Sequence, residues 1–200
     1  MTKVRASILR HNTILDEASF VTNMVKQKQW PANAVLMVHQ LCRFSTKIQI
    51  ESVSFVLRRG QCLGIYGLSG SGKSDLVRML SGGEIFDDGN FYLHKFDSNQ
   101  GPLKQLEGIS CAPQFNCYHE ILTIEEMLIL FAKIRRTEDS QIFSEVRRVG
   151  SIFQLTSKFK RPGRKLDEFT KRALTLAMAF VGQPRLVIID EPTHKVHYHQ

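Results

Sequence analysis

The sequence predicts an α/β protein built on a phosphate-cradling core, and three observations carry that prediction. An eight-residue run, Gly67-Leu68-Ser69-Gly70-Ser71-Gly72-Lys73-Ser74, fits the pattern G-x-x-x-x-G-K-[ST]. From Val35 onward, short apolar runs alternate with stretches of helical spacing. The all-apolar run Leu186-Val187-Ile188-Ile189 ends at Asp190-Glu191, as expected of a central parallel strand with acids at its carboxyl end.

Composition sets the bounds. The 200 residues suffice for one domain with a real core, or one domain with a short appendage. Hydrophobic content is 42% and charged content 23%, ordinary for a globular protein. The longest apolar stretch, Ala173 to Gly182, is far too short to span a bilayer, and no signal peptide is evident, so the chain is not expected to cross a membrane itself, which leaves docking on one open. Lys and Arg outnumber Asp and Glu by 27 to 19, a net charge of +8. Such a balance suits a nucleic acid, an anionic membrane face, or a basic surface that also favours a nucleotide. With no stripe of interleaved basic and aromatic residues, no nucleic-acid partner is expected. Cys42, Cys62, Cys111 and Cys117 match no zinc spacing. Cys62 and Cys111 lie in apolar runs and read as buried thiols of a reduced, cytosolic protein.

Residues 1–34 are polar and weakly periodic and read as a connector, partly disordered, with a short helix around Asp16–Val25. The domain then spans 35–200. Val35–Val38 opens a first strand and Ile48–Leu57 forms a second, ending in the turn Arg58-Arg59-Gly60. Gln61–Tyr66 reads as a short buried strand leading into the glycine loop, and the helix from Ser74 to Leu80 closes at Ser81-Gly82-Gly83. Glu84–Phe86 and Asn90–Leu93 flank Asp87-Asp88-Gly89, a hairpin signal. Ile109–Pro113 is a strand with Gln114 at its end. Thr123-Ile124-Glu125-Glu126 is a capping box opening a helix. Ile142, Val146, Val149 and Phe153 mark a second helix, and Leu174, Ala177, Met178 and Val181 a third, from about Thr170. These three make a helical subdomain over about 115–182.

The glycine loop has a direct physical purpose. Gly67, Gly70 and Gly72 allow backbone conformations and close approaches closed to other residues. With Leu68, Ser69 and Ser71 they present a ring of N–H donors at a helix N-terminus, where the dipole favours anions. Lys73 can reach β- and γ-phosphates, and the Ser74 hydroxyl can ligate Mg²⁺. Asp190 is then placed to hold Mg²⁺ through water and Glu191 to polarise an attacking water. Two adjacent buried acids need counter-charge, which Mg²⁺ and Lys73 would supply. More than a hundred residues separate Ser74 from Asp190, longer than a simple GTPase or nucleoside kinase needs, and the inserted helices account for the gap.

In GLSGSGKS, CAPQFNCYHEILTIEEML and LVIIDEPT, in that order and spacing, the chain resembles the nucleotide-binding domain of ABC transporters. The segment around Gln114 and the run KRALTLAMAF are most similar to the lipid-exporting A subfamily, and the resemblance covers about Val35 to Thr193. It implies a P-loop NTPase core of ABC ATPase type with an antiparallel β layer and an inserted helical subdomain, incomplete at the C-terminus after the strand ending in Asp190. It implies ATP and Mg²⁺ as ligands, with Gly67 to Ser74 cradling the phosphates, Ser74, Gln114 and Asp190 serving the metal, and Gln114 and Glu191 in catalysis. The implied partners are a transmembrane domain and a second nucleotide-binding domain, at the cytosolic face of a membrane, with lipid as cargo.

The chain departs from that family in three places. The signature that opens the third helix, a serine and two glycines, is replaced here by Leu166-Asp167-Glu168-Phe169-Thr170. Side chains at 168 and 169 would block backbone approach to a partner's ATP, and the acids would repel phosphate, although Asp167 can equally serve as a helix N-cap. The chain is thus expected to bind ATP in its own site while failing to complete a partner's. The adenine-stacking tyrosine of the family falls at Ser45, with Phe44 as the available substitute. After Thr193 the chain reads His194-Lys195-Val196-His197-Tyr198-His199-Gln200, without the family's later switch histidine, so a fragment, a truncated isoform, a partial gene model or a degenerate copy is expected. The competing functions are an ATP-binding, hydrolysis-deficient regulatory module and an ABC ATPase acting on ribosomes or DNA.

Overall fold

The computed structural model describes residues 11–44, 49–93, 96–97 and 108–193, with the side chains of 11–15, 49 and 96–97 excepted. The chain divides into two compact units, Met1–Gly108 and Ile109–Gln200.

The first unit contains helix α1 (His11–Lys26), strands β1 (Ala34–Phe44) and β2 (Gln49–Arg58), helix α2 (Lys73–Leu80) and strands β3 (Asp88–Leu93) and β4 (Phe96–Asp97). The strands form one antiparallel sheet in the order β2-β1-β3-β4, the antiparallel layer that the resemblance implies. Val38 sits opposite Phe55 on one side and Phe91 on the other, and all three are buried on one face. Their neighbours Met37 and Val56 point to the opposite face, as strand alternation requires, and pack with Ala34 against Val21 of α1.

That packing explains α1, which is longer than the short helix expected and is packed on the sheet rather than left as a connector. Val21 is fully buried, and Phe20, Met24 and Val25 pack beside it. Glu17 accepts the Val56 N–H at 3.1 Å, and the Trp30 indole donates to the Ala34 carbonyl at 3.1 Å. The helix is stabilised by tertiary burial that its own weak periodicity does not advertise.

Two further expectations fail in this unit. Among the described residues, Gln61–Tyr66 belongs to no strand, and Cys62, Gly64 and Tyr66 are exposed. An alternating apolar pattern makes a strand only where a neighbouring backbone completes its hydrogen bonds. Asp87-Asp88-Gly89 closes no hairpin either, because Glu84–Phe86 is irregular and β3 pairs with β1 instead. Gly89, at φ 87°, is needed because a Cβ there would lie 2.2 Å from the Gln40 carbonyl oxygen across the ladder. By contrast α2 ends as expected. Gly82 takes φ 78°, its N–H bonds to the Met79 carbonyl, and Gly83 N–H bonds to that of Arg78, a Schellman closure.

The second unit contains β5 (Ile109–Ala112), α3 (Ile124–Ile134), α4 (Asp139–Ile152), α5 (Glu168–Phe180) and β6 (Leu186–Ile189). Strands β5 and β6 pair in parallel with Ala112 opposite Ile189. Among the described residues this is a two-stranded ladder, and Val187 to Ile189 are partly exposed, so β6 is not the fully buried strand its composition suggests. Cys111 is half-buried. The three helices share one core of Met127, Leu128, Val146, Val149, Leu174 and Met178. Thr123 caps α3 through the capping box, its hydroxyl accepting the Glu126 N–H while Glu126 accepts from the Thr123 N–H. Among the described residues no helix is long and apolar enough to cross a membrane.

Candidate functional site

The glycine loop runs from an exposed arc at Gly67–Gly70 into the buried start of α2, where Ser71 is 2% exposed. Gly70 at φ 76° and Gly72 at φ 91° occupy the left-handed region, so the sequence pattern and the backbone demand agree. Gly72 stands at the N-cap of α2, and no side chain caps the first helix N–H groups by hydrogen bond, an end suited to an anion. Lys73 Nζ donates to the carbonyls of Gly67 at 2.9 Å and Leu68 at 2.8 Å and lies 3.5 Å from Ser71 Oγ. Among the described residues the ammonium is therefore held over the loop by carbonyl dipoles and pairs with no acid. Ser74 follows in the first turn of α2, half-buried. Phe44 ends β1 with its ring 59% exposed and its N–H donated to Asp87 at 2.5 Å. Ser45, the position aligned with the stacking tyrosine, lies outside the described residues, as do His194, His197 and His199.

In the second unit the parallel register brings the ends of β5 and β6 side by side. The Asp190 N–H extends the ladder to the Ala112 carbonyl at 2.9 Å. Gln114 Nε2 donates to Glu191 Oε2 at 2.7 Å. The structure thus joins Gln114 and Glu191, 77 positions apart in sequence. Asp190 is half-buried and Glu191 exposed, so the pair of buried acids assumed from the sequence is not what forms, and the desolvation cost attached to it is small. Glu191 adopts φ 46°, a left-handed conformation that is uncommon outside glycine and further disfavoured before Pro192.

Sequence reasoning missed the residue beneath this turn. Arg172 is 2% exposed, yet its guanidinium donates to five main-chain carbonyls: Pro113 at 2.6 Å, Gln114 at 3.4 Å, Asp190 and Glu191 at 2.8 Å each, and Pro192 at 2.9 Å. Burial pulls its pKa below the ordinary arginine value, and Asp190, Cys117 and Glu191 oppose that pull. The signal was present in the helical spacing, because Arg172 shares a buried stripe with Thr175 and Ala179.

At the start of α5 the Asp167 carboxylate accepts the Thr170 N–H and its hydroxyl, each at 2.8 Å, with Lys158 3.5 Å away. Burial raises its pKa, but these donors outweigh burial and hold it below the usual carboxylate value. Glu168 pairs with Lys171 at 2.7 Å and accepts from Asn116 at 3.3 Å, and Phe169 is 63% exposed. Asp167 is therefore an N-cap, and the two acids each have a cationic neighbour.

Comparison with known proteins agrees with these features. The family model described as ABC transporter matches residues 50–194. The ABC-type organic anion transporter ABCA8B of Mus musculus is 28% identical over 193 residues, covering 96% of this chain and 12% of that protein. ATP-binding cassette sub-family A member 6 of Homo sapiens is 32% identical over 148 residues, covering 72% of this chain and 9% of that protein. A solved structure described as the ATP binding subunit of an ABC transporter superposes with a TM-score of 0.71 at 26% identity, over 79% of this chain and 66% of that one. The chain thus spans about a tenth of the length of these two relatives.

Proposed function

This chain belongs to the ABC transporter family, and on that premise we propose that it binds ATP with Mg²⁺ and hydrolyses it as the cytosolic nucleotide-binding domain of a membrane transporter. The observation that supports this most directly is the glycine loop, with Gly70 and Gly72 left-handed at the N-terminus of α2 and the Lys73 ammonium held above it. That arrangement fits a triphosphate, since it offers N–H donors, a helix dipole and a cation that, among the described residues, bonds to no carboxylate.

In this reading Gly67 to Ser74 hold the phosphates, Lys73 supplies a point charge toward the β- and γ-groups, and the exposed Phe44 ring stacks on adenine. Mg²⁺, when bound, would neutralise charge on the phosphates. The Ser74 hydroxyl, the Gln114 amide oxygen and the Asp190 carboxylate are hard oxygen donors of the kind it takes. Glu191 acts as the base for the attacking water, and its hydrogen bond from Gln114 orients the carboxylate. The transmembrane partner and a second nucleotide-binding domain would complete the machine. Lipid is the cargo class suggested by relatives named cholesterol transporter ABCA5 and phospholipid-transporting ATPase ABCA3.

A second reading is an ATP-binding module without turnover, favoured by Asp167, Glu168 and Phe169 where the family carries a serine and two glycines. Measuring binding and hydrolysis separately decides between them. Lys73→Ala should weaken ATP binding by at least about 10-fold, the scale of one charge-assisted contact. Glu191→Gln should keep binding while lowering turnover by about 100-fold or more. ATP binding with no Glu191-dependent turnover selects the second reading, and ATP binding indifferent to Lys73→Ala would refute both.

A further inference from the structure

We propose that Arg172 is a positioning residue that locks the Gln114 segment and the Asp190–Glu191 turn into one rigid unit, so that a buried cation, not the two side chains themselves, sets the Gln114–Glu191 contact. The consequence for turnover rests on the reading of Gln114, Asp190 and Glu191 given above, whereas the locking itself does not.

The argument begins with donors and acceptors. A guanidinium carries five N–H groups in a fixed planar fork, and here it meets five carbonyls drawn from two separate segments, 113–114 and 190–192. Carbonyls leaving the ends of two parallel strands would otherwise lack ladder partners in a region where Arg172 itself is 2% exposed. The arginine satisfies both sets at once, and the carbonyl dipoles in turn stabilise its buried charge.

The second observation is backbone strain. Glu191 at φ 46° ahead of a proline is a conformation that persists only when its surroundings over-determine it. Arg172 grips the carbonyls before, at and after that residue. The turn that aims the Glu191 carboxylate is therefore held from beneath by α5, the same helix that carries Asp167 at its start. Lysine cannot replace this role, because a single ammonium has three donors at one point and cannot span both segments.

The test uses the whole chain and needs no nucleotide at its first stage. In Arg172→Lys and Arg172→Met, amide hydrogen exchange at Gln114, Phe115, Asp190 and Glu191 should accelerate by at least about 10-fold, while amides of α3 and α4 stay within about twofold. No acceleration in either variant, or full protection restored by lysine, overturns the proposal. A uniform rise through α3 and α4 also overturns it, since Arg172 would then serve general stability. Should neither variant fold, native-state exchange of the wild type still decides. The amides at 114–115 and 190–191 should open together with one denaturant dependence, and separate opening overturns the proposal. In the second stage, Arg172→Lys should lower kcat by about 10-fold or more with the Kd for Mg-ATP within about twofold. Absence of turnover in the wild type counts against the proposed hydrolysis, and the exchange data then judge Arg172 alone.

Discussion

Asp167 shows how one carboxylate can do ordinary structural work at a position where a different function was expected. It accepts both the N–H and the hydroxyl of Thr170, so removing it frees the first donors of α5. Asp167→Ala should cost about 1 kcal/mol, near the usual value for a lost cap, whereas Asp167→Ser should cost less because serine also caps. The pH dependence follows from the direction of the shift. Because the folded-state pKa lies below the ordinary value near 3.8, the contribution is complete above that value and is lost as pH falls through the lower, folded value. Urea unfolding at neutral pH and at successively more acidic pH should show the wild-type advantage over Asp167→Ala shrinking with acid. An advantage that is flat or grows toward acid would contradict the cap assignment. Arg172 shows the opposite case, a charge whose position on a buried helix face went unread because cations are assigned to surfaces by default.

The helices of the second unit were legible because three independent signals coincide there. The capping box at Thr123 marks a start, the four-three-four spacing of Ile142, Val146, Val149 and Phe153 marks a face, and Leu174, Ala177, Met178 and Val181 converge on the same core. Strands β5 and β6 were legible from the short runs Ile109–Pro113 and Leu186–Ile189, stopped by Pro113 and by Asp190. The run 61–66 was misread because alternation describes a surface, while a strand also needs a partner backbone. Helix α1 was under-read because most of what stabilises it comes from the sheet: Met37, Val56 and Ala34 in strands β1 and β2. Within the helical core the consequence is measurable. Leu174→Ala should destabilise by about 2–5 kcal/mol, since the residue is fully buried. Phe143→Ser, on a side chain 65% exposed on α4, should stay within about 0.5 kcal/mol. Equal effects from the two would show that the helical face has been assigned wrongly.

For the proposed role as a nucleotide-binding domain of a transporter, the decisive segment is 167–169. Like charges at about 4 Å in an effective dielectric near 20 cost about 4 kcal/mol, so bare acids facing a partner's phosphate would be prohibitive. In this structure the acids are not bare. Lys158 stands beside Asp167 and Lys171 pairs with Glu168, which offsets most of the charge. What remains is shape, because Glu168 and Phe169 carry side chains where close backbone approach calls for glycine, and Phe169 is exposed. Shape and charge predict different rescues in an assembled dimer of nucleotide-binding domains. If shape dominates, Asp167→Ser with Glu168→Gly and Phe169→Gly should raise ATPase activity, at a stability cost of about 1 kcal/mol per glycine in the first turn of α5. Asp167→Asn with Glu168→Gln, which removes charge and keeps bulk, should leave it low. Activity restored by the second pair alone would assign the defect to charge. Activity unchanged by the glycine variant would mean that this segment does not limit the composite site.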